Sequence, residues 1–464
     1  MSCGHHGEAH VGGTPQGRFA DKTKYTYAGK LVSESQPGPP FTVHTSTLFD
    51  PMRKKYRENV SVEIDPSSGL VIRCYQRTSE PQIGASDVDL RGKFVIPGLV
   101  DAHTHIFLHA YDERTSVEQK RDESVAERII RSSNHCRTAL LSGYTTYRDL
   151  GSEAMYDLDA NVRDTINRGI MPGPRLYVAT KVISSSSGYA ARYENAMGGV
   201  QYPSLADYCD GETEIRKAVR NRIGAGADVI KFYADYRRRI MRYPPAQQHP
   251  YVGSVRFPPV TANPEVVAFT QKEMDTIVEE ARMAGCAVAA HCGSNESASM
   301  AVKAGATSIE HAYWADEETL NKMAESNIIY VPTLYACELF FQDKMESILQ
   351  KTRKAYDMGV TMACGGDTGT YPHGDNVHEM ELMAAAGVPT SEVLRAGTYH
   401  GWLACGGDLI GKRFGWIEAG TCADMVALDR DPLEDIGNLR GPSFVMKDGE
   451  IYKVDGEPVM DKFF

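Results

Sequence analysis

KFVIPGLVDAHTH, residues 93–105, is an apolar run that breaks at Pro-Gly, resumes as Leu-Val and delivers His103 and His105 at its far end. Side chains two apart on an extended strand point the same way, so the imidazoles of His103 and His105 can address one ion. A buried strand with ligand-type residues at its C-terminal end is what an α/β barrel presents at its active face.

Seven further strand-like runs follow: GYTTYRDLG (143–151), PRLYVATKVI (174–183), ADVIKFYAD (227–235), CAVAAHCG (286–293), TSIEHAYW (307–314), IIYVPTL (328–334) and VTMACGGDTG (360–369). Amphipathic segments lie between them, among them SVAERIIRSSNHCRTALLSG (124–143) and QKEMDTIVEEARMAG (271–285), both closing on Gly as helices often do. Strands alternating with helices imply a parallel sheet, and eight repeats is the number that closes a (β/α)8 TIM-like barrel, assigned here to residues 93–399. An open doubly wound sheet is the alternative that the same alternation permits.

The two ends read differently. FTVHTSTLFD (41–50), VSVEID (60–65) and LVIRCYQR (70–77) near the start, and DMVALD (424–429) with SFVMKDGEIYKVDGEPV (443–459) near the end, are short β runs with hairpin-type turns. Residues 24–92 and 400–464 are therefore expected to join in one small β-sandwich, with residues 1–23 as a tail.

Charge and cysteine narrow the function. With 50 basic and 61 acidic residues the net charge is −11, which argues against a nucleic-acid partner. No stretch approaches the roughly 18 apolar residues of a membrane span, so no membrane partner is expected. Ten cysteines are scattered without a CxxC pair, and residues 1–20 lack the apolar core of a secretory signal. Reduced thiols and a cytoplasmic location are the expectation.

The chemistry gathers at strand ends. His103 and His105 end the first run, Lys231 lies in the fourth, His291 ends the fifth, His311 the sixth and Asp367 the eighth. Singly, each has a structural explanation: a satisfied core histidine, a salt-bridged lysine, an Asp-Thr-Gly turn. Jointly, six such residues at equivalent ends of five strands form a metal site, and four imidazoles with a carboxylate suit zinc or a similar divalent ion.

VIPGLVDAHTH, AAHCGS, SIEHAYW and GGDTG together resemble the metal motifs of the amidohydrolase superfamily, and IEAGTCADMVALDRDPLEDI (417–436) resembles its closing segment. Within it, GYTTYRDLG, IKFYADY and HGDNVHEMELMAAAGV (373–388) look most like the branch of metal-dependent prolidases, acyl-amino-acid hydrolases and ochratoxinase. That resemblance implies two divalent metals, His103, His105 and Asp367 on one and His291 and His311 on the other. It also implies that Lys231, carboxylated by CO2 to N6-carboxylysine, lies between them. A carbamate makes physical sense of a lysine there, because an ammonium would be repelled by two dications. The chain is expected to assemble as a homo-oligomer, as relatives in this branch do. His291 is followed by Cys-Gly-Ser rather than by a nearby Glu, which weighs against a mononuclear deaminase.

The expected reaction is hydrolysis of a small-molecule amide bearing a carboxylate, such as an N-acyl amino acid, a dipeptide or an ochratoxin-like amide, by a hydroxide held between the metals. Asp367 is assigned as the proton carrier, and Tyr233, two residues after Lys231, as a carbonyl- or carboxylate-binding group. Residues 234–264 carry a basic run in an acidic chain, so Arg237, Arg238 and Arg239 are candidate substrate contacts, with His373 and His378. A cyclic amide or lactone hydrolase on the same site, or a mononuclear deaminase or decarboxylase of this fold, are the competing readings.

Overall fold

A computed structural model describes residues 24–25, 31–32, 38–188, 204–237 and 265–463. The strands Leu99–Thr104, Tyr144–Asp149, Val229–Tyr233 and Ser308–His311 are buried at every position. Burial on both faces removes the alternation of buried and exposed positions, and it takes polar residues such as Arg148, Lys231 and Glu310 out of water with the apolar ones. These strands belong to two parallel sheets. One orders Arg175–Val178, Tyr144–Asp149 and Leu99–Thr104; the other runs from Ala206–Tyr208 through Val182–Ser184, Val229–Tyr233, Ala287–Cys292 and Ser308–His311 to Ile329–Val331.

Backbone bonds tie the edges of these sheets together, two of the junctions through residues 360–369. Asp228 N donates to Val178 O at 2.8 Å, Tyr330 N to Thr361 O at 2.8 Å and Ala102 N to Cys364 O at 2.8 Å. The α/β architecture is as expected, but an uninterrupted eight-strand ladder is not formed by the described residues. Two departures account for this. Residues 174–183 split into two strands because Thr180 takes a left-handed conformation, φ 59°. Residues 360–369 make only the isolated bridges Tyr330↔Met362 and Thr104↔Thr368. There the chain passes so close to the first strand that a Cβ on Gly365 would lie 2.7 Å from His103 N.

Helices cover the parallel strands, and their ends are chemically specified. Thr270 and Glu273 form a reciprocal capping box on Gln271–Met283, Ser124 caps Val125–Leu141, and Asn295–Ala304 stops at Gly305 with φ 84°. No helix among the described residues is long and apolar enough to cross a membrane.

Both chain ends do meet. Val88–Pro97 pairs in parallel with Phe41–Asp50 on one side and antiparallel with Met425–Leu428 on the other. The described strands of the two ends form one nine-stranded mixed sheet. Its apolar cluster includes Val43, Val62 and Val95 from the first end and Met425, Phe444 and Met446 from the second. Helix Tyr399–Ala404 packs instead on the strand that carries His103, with Gly401 against Val100.

Gly365→Ala forces backbone apart at the first strand and should destabilise the protein by about 1–3 kcal/mol, as overpacking does. Thermal unfolding measures it. An unchanged melting temperature would show that this close approach does not constrain the fold.

Candidate metal centre

The parallel register sets the site. Tyr233 pairs with His291, His291 with Glu310, and Cys292 with His311, so the ends of three adjacent strands lie level. The structure brings His103, His105, Lys231, Tyr233, His291, His311 and Asp367 to the wall of one cavity of about 670 Å³. Asp367 Oδ1 lies 3.1 Å from His105 Nε2 and 3.5 Å from His103 Nε2. Ligand atoms of these three residues all fall within 4.8 Å of one another. Ring centroids of His291 and His311 are 4.5 Å apart, and those of His103 and His311 5.1 Å.

The outward nitrogens are spoken for, which orients the inward ones. His103 Nδ1 meets Glu310 at 2.9 Å, His105 Nδ1 meets Gly151 O at 3.0 Å, and His311 Nδ1 meets Thr333 Oγ1 at 2.8 Å. A histidine that donates one N–H to a fixed acceptor presents its other nitrogen as a lone pair, the form that ligates metal. His291 Nε2 sits 3.9 Å from buried Asp235, a carboxylate itself fixed by Gly293 N, Ser294 N and Ser297 Oγ. His311 and Asp367 both adopt left-handed backbone, φ 70° and 65°, at the ends of their runs. Such strain persists where surrounding structure imposes it.

Electrostatics match a cation-binding pocket. Burial, with the Lys231 charge, lowers His103 to about 4. Burial, with the His103 charge, lowers His311 to about 3. Burial and His311 hold His291 well below the usual histidine value. Burial would lower His105 too, but the hydrogen bond from its ring to Asp367 outweighs it and lifts the group to about 9. Asp367 is held far below the carboxylate range because the His103 and His105 charges overcome its desolvation. Burial draws Lys231 down to about 8, and its Nζ is buried with no hydrogen-bond partner among the described residues. An orphaned amine among three neutral imidazoles costs free energy as it stands. The donor set and this unsatisfied atom both fit divalent metal with a lysine converted to an oxygen ligand.

Two supports were not singled out from sequence. Glu310 bonds Arg148 Nη2 at 2.8 Å through Oε1 and His103 through Oε2, and both side chains are fully buried. Arg148 also donates to Ala102 O, Ser308 Oγ and Ala404 O. The signal was present: a charged residue inside an apolar strand run, and a Glu just before the ligand His311. Asp101 accepts from His103 N, Thr368 Oγ1 and Asn376 Nδ2, which ties the first strand to the Asp367 turn and gives the HGDN segment a role.

Other expected contacts fall elsewhere. Arg237 lines the cavity and pairs with Glu265 at 3.2 Å. Arg238, Arg239 and most of the 234–264 run lie outside the described residues. His373 is buried, stacked on His135 at 4.2 Å with Nε2 on Leu108 O, and does not line the cavity. His378 is held between Glu338 and Glu381, also away from it. Both sit on the segment that follows Asp367, and packing rather than proximity in sequence sets where they point.

The model of the Amidohydrolase family matches residues 94–454. The chain belongs to the amidohydrolase family. Over 396 residues it is 31% identical to ochratoxinase of Aspergillus niger, covering 78% of this chain and 76% of that one. The crystal structure of A. niger ochratoxinase superposes with a TM-score of 0.72 at 26% identity, covering 89% of this chain and 96% of that one. A crystal structure of a Xaa-Pro dipeptidase with methionine in its active site gives a TM-score of 0.72 at 27% identity, covering 89% and 100%. This amidohydrolase is thus a hydrolase of amide or peptide bonds on a TIM-barrel-like α/β fold.

Glu310→Gln and Arg148→Met should each weaken metal retention about 10–100-fold, the usual effect of losing a ligand's supporting partner. Metal release to a chelator, followed alongside circular dichroism, checks this. Unchanged retention in folded variants would remove Arg148 and Glu310 from the support of the site.

Proposed function

We propose that this amidohydrolase hydrolyses the amide bond of a small carboxylate-bearing substrate, of the N-acyl amino acid or dipeptide type, at a binuclear metal centre. One observation carries the reading: four histidines, Asp367 and a buried, partnerless Lys231 amine face one cavity. His103, His105 and Asp367 would hold one divalent ion, His291 and His311 a second. Lys231, as the carbamate, would serve both. Zinc suits this donor set. An amine lowered toward neutrality by burial is the form that adds to CO2, losing one proton as the N–C bond forms. Bound there, the metals supply Lewis acidity, polarising an amide carbonyl and acidifying water.

The protein groups do the rest. Asp367, ionised and inside the cavity, accepts a proton from the attacking water and passes it to the departing nitrogen, so that water and amide yield a carboxylate and an amine. Tyr233 lines the cavity beside His291, with ring centroids 4.5 Å apart. Burial pushes its phenol well above the usual value, so it remains a hydrogen-bond donor for the carbonyl or carboxylate oxygen. Arg237 and Lys344 line the same cavity and favour an anionic substrate. The ochratoxinase and dipeptidase likenesses support an amide or peptide bond as the target.

Asp367→Asn should lower turnover of such amides by about 10²–10⁴-fold, the contribution of a positioned general acid–base, with the fold intact. Assay on a panel of N-acyl amino acids, dipeptides, hydantoins and lactones measures it. Near wild-type activity would remove Asp367 from proton transfer, and preference for lactones or hydantoins would overturn the linear-amide reading.

A further inference from the structure

The cavity carries a second chemistry that the metal-type cluster does not use. A line of rings leads away from it: His311 to Tyr313 at 5.9 Å, then Tyr313 to Phe341 at 5.9 Å. Trp314, 38% exposed, lines the same cavity. Lys344 Nζ stands 5.2 Å from the Trp314 ring centroid and 5.9 Å from that of Phe341, within cation–π range of both. Arg237 flanks Phe341 at 6.0 Å, but its guanidinium already meets Glu265. Lys344 forms no ion pair with a carboxylate among the described residues.

Apolar ring faces held in a solvent-open cavity gain free energy when a ligand covers them, about 25 cal/mol per Å² removed from water. A cation without a counter-charge at the edge of those faces selects a ligand with an anion beside its apolar part.

We infer that Trp314, Phe341 and Lys344 form a specificity subsite for the amino-acid half of the substrate. The aromatic or similarly planar side chain lies against Trp314 and Phe341, and the carboxylate lies on Lys344 Nζ. This rests on the amide-hydrolase reading above and narrows it to amides of aromatic amino acids with a free carboxylate. Lys344, rather than Arg237, reads the charge.

The test uses the metal-supplemented full chain and three matched compounds: N-acetylphenylalanine, its carboxamide and N-acetylalanine. The wild type should prefer the acid to the carboxamide and the phenylalanine to the alanine compound. Lys344→Met should cut the acid-over-carboxamide ratio of kcat/KM by about tenfold or more, the value of a charge-assisted hydrogen bond. Lys344→Arg should keep most of that ratio. Trp314→Ala should cut the phenylalanine-over-alanine ratio instead. Ratios that do not move in active variants overturn the subsite. Isothermal titration with N-acetylphenylalanine separates the two claims. Wild-type binding without turnover, weakened by Lys344→Met, removes the hydrolytic reading and keeps the subsite. No wild-type binding, or equal binding by Lys344→Met, overturns the subsite.

Discussion

Gathering six polar groups around one cavity, three of them nearly out of water, is the constraint on which this structure turns. His103, Lys231 and His311 are nearly inaccessible to solvent. Without a counter-charge, such a cluster would cost several kcal/mol per charged group. Glu310 supplies part of that charge from outside the ligand set. Its carboxylate is kept ionised against full burial by Arg148 and His103. The resulting Arg148–Glu310–His103 relay joins the first, second and sixth strand runs, and the Asp101–Thr368–Asn376 bonds join the first run to the eighth. The placement of the candidate ligands is thus supported by hydrogen bonds from residues outside that set.

That these side chains would meet at one end of the strands was readable from sequence, because strand periodicity and residue type suffice to place them. HTH, EH and AAH each announce a strand terminus and GGD the end of an apolar run, and the structure brings His103, His105, His291, His311 and Asp367 to one cavity. The α/β alternation was readable for the same reason. Arg148 and Glu310 escaped notice because their pairing depends on the register of strands 162 residues apart. His373 and His378 misled because closeness to Asp367 in sequence says nothing of direction: one packs under the Leu108 carbonyl and the other turns to Glu338 and Glu381. The break at Thr180 needs a left-handed residue that propensity does not mark, and the close approach at Gly365 left the eighth run with bridges instead of a strand.

The cavity divides its work by depth. Imidazoles and carboxylate at the inner end suit chemistry on a polar bond, while rings and cations farther out suit recognition. Asp235 faces His291 and pins the start of helix Asn295–Ala304 through Ser294 and Ser297.

The central claim is that Lys231 enters the site as an anion, not as an amine. Carbon-13 NMR of the metal-loaded protein equilibrated with labelled bicarbonate, combined with metal analysis, tests it most directly. The account predicts a carbamate resonance that disappears in Lys231→Ala, with close to two metal equivalents per chain in the unsubstituted protein. A fully active protein with no carbamate signal and an unmodified Lys231 would contradict it.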